Sequence, residues 1–202
     1  MSFVDRDVKP IVEIGCGKGS ITKLLKPDIC IEVDEKFMEY LRGDTNLILA
    51  DARYLPILKG QIVSSLPYHI TFDFFKEIIK LNYISRLLLI VQKDFLDKVV
   101  NEPTYISFLL NYYFKIEMKL IIPPESFRPI PKVFSVISTF TRIREYDPYV
   151  SDLIACISRY RNKTLRRVAK LCGSNSNSQL KVRDFKPWQI LELLNLMGLN
   201  YV

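Results

Sequence analysis

Apolar and polar positions change period along the chain, and the changes mark out its elements. Ile11–Ile14, Ile29–Val33, Leu47–Ala50 and Ile62–Ser65 are short apolar runs bounded by turn formers or charged residues. Runs of this kind read as buried strands. Between them, Ser20–Leu25 and Glu35–Leu41 carry apolar residues at helical spacing. Thr71–Leu81 predicts a longer helix, with Phe72, Phe75, Ile78 and Ile79 as one stripe and Thr71 as N-cap. Leu87–Val91 is unbroken apolar sequence, which predicts a central strand. Helices follow at Asp94–Val100 and Tyr105–Tyr113, then two alternating, β-branched strands at Lys115–Ile122 and Val133–Arg142. Alternation of strands and helices predicts an α/β fold, a parallel sheet of about seven strands with helices on both faces.

The pattern changes at Tyr146-Asp147-Pro148. Beyond it Leu153–Cys172 and Pro187–Met197 read as helices, parted by the polar linker Gly173–Ser178. The expected organisation is one domain over residues 1–147 and a small all-helical domain over residues 148–202.

Charge sharpens this division. The chain of 202 residues carries a net +7, and +6 of it lies beyond Tyr149. So lopsided a basic segment points to an anionic partner, most often nucleic acid. Arg159, Lys163, Arg166 and Lys170 fall at i, i+4, i+7 and i+11, one stripe of a single helix, widened by Arg161 and Arg167. With no acid from Arg159 to Lys170 to pair them, the stripe suits phosphate contacts better than a salt-bridged surface. The four cysteines form no C-x-x-C pair and there is one histidine, His69, so no metal site is expected and the thiols fit a reducing cytosol. The longest apolar run, Leu87–Val91, is far short of the roughly 20 residues of a membrane span, and no apolar leader follows a basic start. A soluble, cytoplasmic monomer without metal or membrane contact is expected.

Glycine is scarce, seven in all, yet three fall in Val12-Glu-Ile-Gly-Cys-Gly-Lys-Gly19 between a strand and a helix. Glycines there let the backbone turn sharply and come close to a ligand. The spacing is neither the G-x-G-x-x-G of nicotinamide enzymes nor a phosphate-binding P-loop. Glu32 ends the second strand, where a carboxylate accepts ribose hydroxyls, with Val33 beside it. Asp51, followed by Ala52, ends the third, where a carboxylate accepts an adenine amine. These features converge on the crevice at the strand ends where open α/β sheets bind ligands. His69 is read as a loop residue, not as a base.

Gly-x-Gly-x-Gly, Glu32, Asp51 and Ser65-Leu-Pro-Tyr68 together resemble S-adenosylmethionine-dependent methyltransferases that modify exocyclic base amines. Among these, the chain is most similar to the ribosomal RNA adenine dimethyltransferase family. Val91-Gln-Lys-Asp94, Pro123-Pro-Glu-Ser-Phe-Arg-Pro-Ile-Pro-Lys-Val133 and Arg161-Asn-Lys-Thr-Leu-Arg166 match further family segments, the Phe127 motif most specifically. The resemblance implies a Rossmann-like class I methyltransferase sheet and a small helical, RNA-binding C-terminal domain. It implies dimethylation of adenine N6 in small-subunit ribosomal RNA, with that RNA or the subunit precursor as partner. Glu13, Gly15, Gly17, Glu32, Val33, Asp51, Ala52 and Ser65 would hold S-adenosylmethionine. Ser65, Leu66, Pro67, Tyr68 and Phe127 would hold the base, and Arg159, Arg161, Lys163, Arg166, Arg167 and Lys170 the RNA backbone. Two departures stand out. The family has Asn where this chain has Ser65, and serine there is typical of cytosine-N4 enzymes. The family's Q-x-F-L-x-D segment and helix are reduced to Phe3-Val-Asp5 close before Ile11, which predicts a less covered cofactor site. The alternatives are a non-catalytic RNA-binding or ribosome-assembly factor on the same fold, and an enzyme acting on another base amine.

Overall fold

The computed structural model describes residues 2–41, 43, 45–57 and 59–199, leaving the Tyr68 side chain outside. Its strands are β1 (Ile11–Ile14), β2 (Ile29–Glu32), β3 (Asn46–Leu49), β4 (Lys59–Ser65), β5 (Tyr83–Gln92), β6 (Phe114–Ile122) and β7 (Ser135–Arg142). They form one sheet in the order β3-β2-β1-β4-β5-β7-β6. The first five are parallel, and β7 runs antiparallel to β5, so the sheet is mixed where alternation predicted a parallel one. The helices are α1 (Thr22–Leu25), α2 (Thr71–Ile78), α3 (Lys93–Asn101), α4 (Tyr105–Tyr113), α5 (Pro148–Arg159), α6 (Leu165–Leu171) and α7 (Ile190–Leu196).

The chain divides into two compact units, residues 1–93 with 115–142, and residues 94–114 with 143–202. This differs from a single break at residue 147. The composition change at Tyr146–Pro148 marks a helix start instead. Asp147 Oδ1 accepts from the Tyr149 and Val150 amides, and Pro148 occupies the first turn, where a missing N–H costs nothing.

In the first unit β1 is wholly buried, as a central parallel strand should be. Ile11, Leu25, Val63 and Leu88 pack together on one side, with Phe3, Val4, Ile21 and Ile137 around them. Phe74 and Phe75 meet edge to face elsewhere in the core, and Phe140 packs tilted against Phe75. Helix α2 buries Thr71, Phe74, Phe75 and Ile78 and leaves Phe72 exposed, so the buried stripe is rotated from the predicted one. Thr71 is not an N-cap; its hydroxyl donates to the Pro67 carbonyl. Beyond that helix the Arg142 guanidinium donates to the carbonyls of Ile78, Ile79, Leu81 and Ile84, satisfying a helix end that has no glycine cap.

The second unit is built around α4, with Phe108, Leu109, Leu110, Tyr112 and Tyr113 buried, packed on α5 and α7. The Tyr113 hydroxyl joins it to α5 through the Asp147 carbonyl and the Ser151 hydroxyl. The single helix predicted over Leu153–Cys172 is two, α5 and α6, with a turn at residues 160–164. Nothing local breaks it. Thr164 pairs with Lys181 of the linker, and the Leu165 and Arg166 amides donate to the Leu180 and Ser178 carbonyls. Acceptors brought from the linker thus replace helical continuation. All four cysteines are paired, Cys16 with Cys30 and Cys156 with Cys172, where unpaired thiols were expected. Separations of 14 and 16 residues carry no recognisable spacing signal; the strand–helix–strand crossover and the helix–turn–helix path bring the partners together. Among the described residues no helix is long and apolar enough to cross a membrane.

Candidate active site

Parallel register aligns the C-terminal ends of four strands. Ile14 lies beside Ile31 and Ser64, Glu32 beside Leu49, and Ser65 beside Ile90. The residues that follow each strand therefore meet along one edge, on both sides of β1, where the strand order reverses. A cavity of about 390 Å³ opens there. Gly15, Gly17, Glu32, Val33, Asp51, Ala52 and Ser65 all line it.

The glycine loop turns because Gly15, Gly17 and Gly19 have φ of +74°, +51° and +81°, a region costly for other residues. A Cβ at Gly15 or Gly17 would meet no protein atom within 4 Å, so bare backbone faces open space. Glu32 fixes the loop. Its Oε2 accepts from the Gly17 amide at 2.8 Å, and its Oε1 from the Val33 and Asp34 amides at 2.8 and 3.0 Å. Three of about four acceptor directions are thus used, and one remains for a ligand.

Glu13 is corrected. It is buried, 1% exposed, on the opposite face of β1 from Ile14, which lines the cavity while Glu13 does not. Burial pushes the Glu13 carboxyl up to about 7; the neighbouring Thr22 hydroxyl offsets part of that rise, and the charge of Glu32 adds to it.

A second cavity of about 240 Å³ is lined by Ser65, Leu66, Pro67 and Phe127 with Arg128, Pro129 and Pro131. Ser65 and Pro67 line both cavities and form a common wall. The Phe127 loop is stiff for visible reasons. Ser126 and Phe127 amides donate to the Pro123 and Pro124 carbonyls, and Arg128 Nη1 donates to the carbonyls of Glu125 and Phe127 at 3.0 and 2.9 Å. Tyr68 opens the short 3-10 turn Tyr68–Ile70, and its side chain lies outside the described ones.

A model of the ribosomal RNA adenine dimethylase family matches residues 6–181. The chain belongs to that family. It is 31% identical, over 68% of its length, to the ribosomal RNA small subunit methyltransferase A of Mesomycoplasma hyopneumoniae strain 232, of which the match covers 60%. It is 26% identical, over 94% of its length and 83% of the relative's, to the protein of the same name from Geobacter metallireducens. The chain thus spans about 60% of several of the relatives it matches. Its fold is that of a dimethyladenosine transferase from Plasmodium falciparum (TM-score 0.74, 19% identity, 95% of this chain and 92% of that one). It is likewise similar to the 23S rRNA methyltransferase ErmE (TM-score 0.68, 19% identity, 94% and 91%). The predicted class I methyltransferase sheet is therefore present, as the family membership requires.

Of the six cations expected on one helix stripe, the structure brings four together differently. Arg159 ends α5, Arg161 and Lys163 lie in the turn, and Arg167 is on α6; all four line a polar cavity of about 600 Å³ in the second unit. Arg166 and Lys170 sit on α6 outside that lining. Arg183 adds to the corner, its amide on the Arg161 carbonyl and its Nη1 near Asn162 Oδ1 at 3.4 Å.

Sequence reasoning missed the apolar wall of the first cavity, Ile14, Ile31, Phe37, Ala50 and Ile70. It also missed Arg53, whose signal was present. Asp51-Ala-Arg53 is an Asx-turn sequence, and the Arg53 amide donates to Asp51 Oδ1 at 2.8 Å.

Proposed function

We propose that this protein uses S-adenosylmethionine to dimethylate adenine N6 in small-subunit ribosomal RNA, in the cytoplasm, as a step in ribosome biogenesis. The observation that carries this reading is the wall of Ser65 and Pro67 shared by two cavities, one with the glycine loop and two carboxylates, the other with Phe127. Bare backbone at Gly15 and Gly17, apolar walls, and Glu32 and Asp51 are the set that an adenosine-bearing ligand needs. Glu32 and Val33 would hold its ribose side, Asp51 and Ala52 its base. When bound, the cofactor supplies an electrophilic methyl group on a positively charged sulfur.

The chain's own part is alignment, since in-line transfer depends on orientation more than on a strong base. The target amine is a weak nucleophile because its lone pair is drawn into the ring. The Ser65 hydroxyl and the Leu66 carbonyl accept from its N–H groups and return that pair to nitrogen. Phe127 stacks on one face of the flipped base and Tyr68 on the other. Pro67 stiffens the turn that carries these acceptors. In the second unit Arg159, Arg161, Lys163 and Arg167 bind phosphates and position the RNA without reading its sequence, with Arg166 and Lys170 extending the contact along α6.

Undermethylated small subunits incubated with labelled cofactor, then mapped by nucleoside mass, are expected to yield N6,N6-dimethyladenosine. Absence of transfer to adenine while the cofactor binds overturns the reading. Ser65 favours one second reading, methylation of a cytosine amine, because serine is shorter than the family's asparagine. The same mass map separates the two.

A further inference from the structure

Asp51, expected to receive the adenine amine, is already occupied. Its Oδ1 accepts from the Arg53 backbone amide and from Arg53 Nε at 2.8 and 3.0 Å. Its Oδ2 accepts from Nε and Nη2 at 3.1 and 2.5 Å. A carboxylate has about four acceptor directions. Arg53 supplies three N–H groups, its backbone amide, Nη2 and a single Nε–H shared between the two oxygens, so both oxygens are engaged at once. Both residues line the cavity, with side chains 26% and 47% exposed. A new donor therefore competes with the guanidinium for Asp51.

We infer that Arg53 is an internal competitor for the cofactor subsite, holding the Asp51 carboxylate in the free protein and yielding it to the amine of a bound adenosine. This rests on the reading of that cavity as the cofactor site. Release is inexpensive because Arg53 is half in water and the pair is screened. The pair is also selective. A ligand with an amine replaces bonds that Arg53 gives up, and a ligand without one leaves Asp51 with no new donor. The low carboxyl of Asp51, held near 2 first by the Arg53 side chain, keeps the acceptor ionised throughout the neutral range.

Calorimetric titration with S-adenosylhomocysteine tests this without turnover. Arg53→Ala is expected to bind about two- to fivefold tighter at low salt, the worth of one partly exposed ion pair. Added salt should narrow that gap, because it loosens the pair in the unmodified protein only. Asp51→Asn should cost more affinity in the Arg53→Ala background than alone. Arg53→Lys, which keeps the charge but not the fork, should fall between. Equal or weaker binding by Arg53→Ala at every salt concentration overturns the inference and leaves the cofactor assignment standing. No binding to any variant overturns the cofactor assignment, and the inference with it.

Discussion

The cavity at the strand ends and the cavity at the α5–α6 turn are assembled by opposite means. In the first, parallel register carries Gly15, Glu32, Asp51 and Ser65 to one edge, so their order in the chain becomes their order in space. In the second, Arg159, Arg161, Lys163 and Arg167 converge because a helix stops where its sequence gives no reason to stop. One site is set by repeating backbone geometry, the other by acceptors on a distant linker. Charge differs too. The basic excess seemed to belong to a whole domain, but residues 94–114 and 143–149 bring five acids and two bases into the second unit. That unit carries +3 of the +7, and its basicity is a local corner.

Four variants probe the contrast. The largest effect is expected at Glu13, buried beside the first cavity. Its folded carboxyl titrates near 7 against an ordinary 4.5, so the folded state holds the proton more tightly than the unfolded chain. Its contribution to stability therefore declines as pH rises from 4.5 to 7 and is level above that. Glu13→Gln should remove the decline, gaining up to about 3 kcal/mol over the parent at pH 8, as read by denaturant unfolding at several pH values. A constant difference across pH would show that Glu13 is not the titrating group.

Next in size, Phe127→Ala should slow RNA methylation roughly ten- to a hundredfold, the worth of one stacked base, while S-adenosylhomocysteine affinity stays within about twofold. A matched loss of both would mean the common wall does not separate two functions. Smaller again, Arg161→Ala with Lys163→Ala should weaken RNA binding about tenfold and reduce the salt slope by roughly one to two. The paired change Arg166→Ala with Lys170→Ala should do less. If the α6 pair matters as much as the turn pair, the stripe and not the corner grips RNA. Methyl transfer is read with labelled cofactor, S-adenosylhomocysteine affinity by calorimetry, and RNA binding by fluorescence anisotropy with labelled RNA.

The first cavity was legible because strand ends and glycines are local signals. Even so, Glu13 does not line it: alternation along β1 turns it away from Ile14, and a contiguous motif hides alternation. The second cavity was legible as charge but not as shape. Residues 160–164 contain neither Gly nor Pro, and the break depends on Ser178 and Leu180. The cysteine pairs were illegible for the same reason, since each needs a folded turn between its members. The role of Arg53 is hidden in the sequence because it appears only once its side chain folds back on Asp51.

The helical unit draws on two separated stretches of chain, with α4 packed on α5 and α7. On a ribosome that makes the chain from its beginning, α3 and α4 emerge before the helices on which α4 packs. They wait through all of β6 and β7 before α5 arrives, and longer for α7. The cavity of Ser65, Leu66 and Pro67 lacks its Phe127 wall over part of the same interval. Synthesis halted shortly after residue 142 would therefore release a completed sheet together with an α4 still missing both of its helical partners, a species for chaperones to hold. The same arrangement means that residues 148–202, cut out alone, would lack the helix they fold upon.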